Sequence, residues 1–182
     1  STSDDFPEIA PGRDTDKRIT TLSGWSIGRL GPAYFLQETA KDTASEESKR
    51  KRHNIGYIVL FDPANKQKYL NNDCDRDANQ SVEMAKWLRE DSNNHLLIIA
   101  GEETRDAAHA NEANGVRFEH QGIQEGLFAP AIRGHADITD QVVVCNYDLS
   151  HEQSYIQFKD YMNKPPITDP DQCPNNAQGW RP

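Results

Sequence analysis

Three short apolar runs punctuate an otherwise polar chain: residues 56–61 (GYIVLF), 95–100 (HLLIIA) and 141–145 (QVVVC). Runs of this length without polar alternation are those of strands covered on both faces. Between them the spacing turns helical. Val82, Met84, Ala85, Trp87 and Leu88 share one side of a segment that Asp77 and Gln80 open at capping-box spacing. Thr104 caps an alanine-rich segment that stops before Gly115. Ser150 and Gln153 open a third, with Tyr155, Phe158 and Met162 at i, i+3 and i+7. Strand and helix therefore alternate, which predicts a single α/β domain over 23–162. Its mostly parallel sheet lies between flanking helices in a Rossmann-like three-layer arrangement.

The flanks read differently. Between Leu22 and Gln37 the apolar residues are broken by Gly24, Gly28 and the Gly31-Pro32 pair, and the pattern predicts an N-terminal β-hairpin or two short strands about a turn. Residues 40–53 read as a charged connector, in which Glu46 and Glu47 precede the basic cluster Lys49, Arg50, Lys51 and Arg52. Residues 116–140 show no clear period and predict one more strand among loops. Residues 1–22 and 163–182 are polar and proline-containing, which predicts an extended N-terminal arm and a Pro-rich C-terminal tail. Trp180 is suited to anchoring that tail in a groove.

Charge narrows the partners. The 182 residues carry 20 Lys and Arg against 29 Asp and Glu, a formal net charge of −9. Such a surface repels phosphate backbones, so general nucleic-acid binding is not expected. No run approaches the ~18 apolar residues of a membrane span. With no secretory leader ahead of Ser1, the expectation is a water-soluble chain, either cytoplasmic or a mature secreted or periplasmic form. Cys74, Cys145 and Cys173 show no metal-ligand spacing. A bridge between Cys145 and Cys173 would pin the tail to the domain, and unbridged thiols are the equal alternative.

Ligands of an open parallel sheet bind beyond the carboxyl ends of its strands. There the chain places Asp62, Glu102 with Glu103, and Asp148. Acids converging on one crevice would suit Mg²⁺. Asp106 and His109 on the following segment, with His135 and Asp137 beyond, would complete a metal-dependent hydrolase or phosphotransferase in which His109 or His135 moves the proton. The plainer reading is that acids after strands cap turns. A second cluster, Asp73, Asp75, Asp77 and Asn79, alternates as in a Ca²⁺ loop and resembles the opening of an EF-hand. The turn glycine of that motif is here Ala78, its twelfth position is Met84, and Glu83 falls one residue early.

No phosphate-binding glycine loop and no H-E-x-x-H helix is present, and Asp-Pro follows the first apolar run where a dinucleotide fold has its glycines. A G-x-S-x-G nucleophile elbow is not expected either. Cys145 with His151 would make a nucleophile and base, but a cysteine within an apolar strand reads as core.

Two segments resemble known families. Ile132-Arg133-Gly134-His135-Ala136-Asp137, with Asn146, Leu149 and Ser150, resembles the peptidoglycan-binding domains of the OmpA/MotB type. That resemblance implies a grip of Asp137 on cell-wall diaminopimelate, while Gln153 stands where the family has an arginine. Gly101, Thr104, Arg105, Glu112 and Ala113 after HLLIIA are similar to the YdcF-like α/β family, which implies a fold but no reaction. The function these observations favour is a non-enzymatic binding or assembly subunit whose termini lean on their own domain or on a second chain. The metal-dependent hydrolase and the cell-wall binder are its alternatives.

Overall fold

The structure, a computed structural model, describes residues 20–25, 30–63, 83–101, 136–175 and 177–181. Four parallel strands lie side by side in chain order: β1 (Thr20–Trp25), β2 (Ile55–Phe61), β3 (His95–Ala100) and β4 (Val142–Asn146). A short β5 (Gln178–Trp180) runs antiparallel along the outer edge of β4. The three apolar runs are thus neighbouring, parallel strands, as their composition predicts.

Alternate residues of these strands feed two cores. One face buries Ile58 and Leu60, Leu96 and Ile98, Val142 and Val144 against Leu36 and the helical residues Met84, Trp87 and Leu88. The other buries Val59 and Phe61, Leu97 and Ile99, Val143 and Cys145 against Phe158 and Ile167. Burial on both faces is why the strands carry no polar alternation. The α-helices among the described residues are α1 (Leu30–Thr39), α2 (Glu46–Asn54), α3 over 83–90, the single turn α4 (Ala136–Thr139) and α5 (His151–Phe158). Helix α5 has the expected capping box: the Ser150 side chain accepts from Gln153 N, and the Gln153 side chain accepts from Ser150 N.

Two expectations are corrected. The N-terminal hairpin does not form; β1 pairs in parallel with β2, and the chain turns into α1. Gly31 and Pro32, read as a turn, occupy the first turn of that helix. There a proline's missing N–H costs nothing, because no intrahelical acceptor faces it. The expected boundary of the N-terminal arm falls inside β1, and residues 1–19 lie outside the described residues.

The charged connector is also largely helix. Ser45 caps α2 by accepting from Ser48 N, acids fill its first turn and bases its last, an arrangement matched to the helix dipole. Its basic cluster is engaged within the domain. Lys49 pairs with Glu46 and Lys51 with Glu47, while Arg52, buried, reaches Glu90 with Nη2 at 2.5 Å and donates from Nη1 to Leu36 O at 2.6 Å. One guanidinium so joins α2 to the carboxyl end of α1 and to α3.

The C-terminal tail is tied down at several points. Cys145 and Cys173 form a disulfide, with Cα atoms 5.6 Å apart. The buried Tyr57 hydroxyl accepts from Ile167 N at 3.2 Å, and burial pushes its pKa up to about 12. Tyr147 donates to Pro174 O, and Arg181 donates to Asp140 O and Thr168 O. Gly179 is required where β5 passes Pro170, since a Cβ there would run into the Pro170 carbonyl. Among the described residues no helix is long and apolar enough to cross a membrane.

Candidate functional site

The site lies at the carboxyl edge of the sheet, where β1 ends at Trp25, β2 runs into Asp62 and β3 into Gly101. Asp62 is completely buried, and its φ of 40° is the left-handed conformation that few non-glycine residues adopt. Two groups sustain that strain. Asp62 N donates to Ile99 O at 2.7 Å, and the carboxylate Oδ1 accepts from Gly101 N at 2.9 Å. The turn leaves the second oxygen facing the start of α5. A Cβ on Gly101 would meet the Asp62 carboxyl carbon at 3.1 Å, so the absent side chain leaves room for the acid.

His151 is the first residue of α5, held there by the Ser150 cap. Its Nδ1 lies 2.7 Å from Asp62 Oδ2. A carboxylate can only accept, so the ring proton sits on Nδ1 and the basic lone pair falls on Nε2. Trp25 covers the imidazole: the rings stack with centroids 5.1 Å apart and 26° between planes, and Trp25 Nε1 donates to His151 O at 3.1 Å. The same indole lies over Tyr155, one helical turn further along α5, at 5.6 Å and 24°. Tyr155 in turn meets the buried Phe61 edge-on at 5.5 Å. An acid–imidazole pair is thereby walled on one side by aromatic rings. It is the arrangement in which a carboxylate orients a histidine for proton transfer.

The residues picked out from the chain alone meet this site only in part. Asp62 stands at the strand end as expected, but its oxygens serve Gly101 N–H and His151. Asp148 is exposed after β4. Glu102, Glu103, Asp106, His109 and His135 lie outside the described residues, as do Asp73, Asp75 and Asp77 of the proposed calcium loop; the side chain of Asp137 does as well. Glu83 is on α3 and pairs with Lys86 at 2.8 Å. Among the described residues no group of three or more His, Cys, Asp or Glu is arranged to hold a metal ion. Cys145 is not a nucleophile for His151, because its sulfur is bonded to Cys173.

One motif beside this pair is legible in the sequence and is not among the expected site residues. Residues 24–28 read Gly-Trp-Ser-Ile-Gly, a G-x-S-x-G pattern, and it joins β1 to α1. The expectation that the chain lacks this pattern is therefore corrected by the sequence itself. The signal that finds the pattern is its place between a strand and a helix. Ser26 itself lies outside the described residues. No protein-family model, curated protein or solved structure matches the chain.

Proposed function

We propose that the protein is a serine hydrolase that cleaves an ester or another activated acyl bond, with Ser26 as nucleophile, His151 as base and Asp62 as the acid that orients it. The observation that carries this reading is the 2.7 Å contact of Asp62 with His151 at the carboxyl edge of the sheet. The strand that ends beside this pair runs directly into Gly24-Trp25-Ser26-Ile27-Gly28. The chain order Ser, Asp, His is that of the α/β-hydrolases, a likeness of arrangement rather than of overall sequence.

The chemistry follows from the proton inventory. With Nδ1–H given to Asp62, His151 Nε2 accepts the Ser26 proton as the oxygen attacks the acyl carbon. The resulting imidazolium is held by the buried carboxylate and then protonates the leaving group. Water repeats the sequence to release the acid. The backbone N–H after the nucleophile, that of Ile27, is the expected donor to the oxyanion.

Labelling with a fluorophosphonate probe tests the reading, with p-nitrophenyl acetate hydrolysis as the second readout. The wild-type chain is expected to label at one site, and Ser26→Ala and His151→Ala to abolish labelling while the fold persists. Metal-dependent hydrolysis predicts the reverse, loss of activity with chelator and indifference to Ser26→Ala. Folded wild-type protein that neither labels nor hydrolyses esters would sink the proposal and return the chain to the binding or assembly subunit.

A further inference from the structure

We infer that Trp25 is a positioning residue that fixes the plane of the His151 ring; this rests on the hydrolase reading for its kinetic consequence but not for its structural one. The Asp62 contact at Nδ1 fixes one point of the imidazole and one direction. That contact resists libration of the ring about its Cβ–Cγ bond only as stiffly as a hydrogen bond bends, and such libration swings Nε2 through an arc. The base must stand within hydrogen-bond reach of the hydroxyl it deprotonates, so the remaining freedom has to be removed.

Trp25 removes it in two ways. Its indole lies nearly parallel to the imidazole, 26° between planes with centroids 5.1 Å apart, so a swing of the ring collides with the indole face. Its Nε1–H is given to His151 O at 3.1 Å, which ties the indole to the backbone of the residue it covers. The indole is itself backed by Tyr155, and Tyr155 by Phe61, which immediately precedes Asp62. Acid and indole are therefore both referred to the end of β2. The indole face also favours the cationic imidazolium formed when the serine proton is taken. Trp25 is finally the residue that precedes Ser26, so one side chain links the nucleophile segment to the base.

Trp25 is 39% exposed, so little of the core depends on it. Two replacements separate its contributions. Trp25→Phe keeps a stacking face and loses the Nε1–H, and Trp25→Leu keeps apolar bulk and loses the face. Trp25→Phe is expected to lower kcat about fivefold, near the net worth of one hydrogen bond. Trp25→Leu is expected to lower it about 10²-fold, the scale of a misplaced catalytic group, with KM unchanged in both. Independently of activity, the Nδ1–H proton of His151, shifted far downfield by Asp62, is expected in the NMR spectrum of wild type and Trp25→Phe and broadened beyond detection in Trp25→Leu. Asp62→Asn provides the assignment. Equal kcat and an equally sharp proton in Trp25→Leu would overturn the inference. Should the wild-type chain hydrolyse nothing, the hydrolase reading falls, and the NMR comparison alone decides the role of Trp25.

Discussion

The two ends of the parallel strands use their polar side chains differently. At the amino end, Gln141 directs its amide nitrogen at three backbone carbonyls, those of Leu88, Asp91 and Asn94. Asn94 donates to Trp87 O. These neutral donors satisfy the carbonyls at and beyond the end of α3, which would otherwise be orphaned. At the carboxyl end a buried polar group is an acid, Asp62, in a strained backbone conformation and paired with the histidine that opens α5. A buried ionisable group is costly unless its partners are in place, and in the hydrolase proposed above it makes the edge a place for proton transfer rather than a seam. One end holds the layers together; the other holds an acid–imidazole pair.

That contrast can be broken from either side. Asp62→Asn should leave the fold assembled and lower kcat for ester hydrolysis by about 10⁴, because an amide no longer enforces the Nδ1–H tautomer. A loss within tenfold would mean that the acid at this edge is structural, like the polar groups at the other. Gln141→Leu should do the opposite. It leaves carbonyls unpaired and is expected to lower stability by about 2 kcal/mol in urea unfolding, with the rate of probe labelling at Ser26 unchanged.

The smallest effect sharpens the amino end further. His95 opens β3, and its pKa is lowered, first by burial and then by the charge of Arg181, with Asp91 working against both. Its Nδ1 is buried without a hydrogen-bond partner among the described residues. The folded state therefore prefers the neutral ring. In the unfolded chain His95 titrates at about 6.5. Its contribution is thus fully present above that pH and lost as the pH falls from there through the folded value. Urea midpoints measured from pH 7.5 to pH 5 should fall less in His95→Gln than in wild type. Parallel declines would show that other groups carry the acid sensitivity.

Much of the fold was legible in the letters. The three apolar runs became adjacent parallel strands because a chain segment with no polar alternation has to be covered on both sides. The Ser150–Gln153 box was legible because it is local, four residues closing two hydrogen bonds. Gly31-Pro32 admits a turn and a helix start equally, and the hairpin is excluded by the parallel pairing of β1 with β2 and by α1 over Leu30–Thr39. Gly24-Trp25-Ser26-Ile27-Gly28 takes its meaning from lying between a strand and a helix, which a hairpin over 22–37 does not provide. The site acids were chosen by position after strands, which found Asp62. Its partner could not be found that way.

Sequence alone determined the alternation of strand and helix, the burial of the sheet on both faces and the presence of a carboxylate directly after β2, since each follows from residues near in the chain. Tertiary structure decided that Cys145 meets Cys173 and that Asp62 meets His151, which lie 28 and 89 residues apart. Such pairs depend on strand order and on the path of the tail, and local propensity carries no term for either. The same holds for Trp25, whose place over the imidazole exists only because β1 lies next to β2 and α5 folds back across their ends.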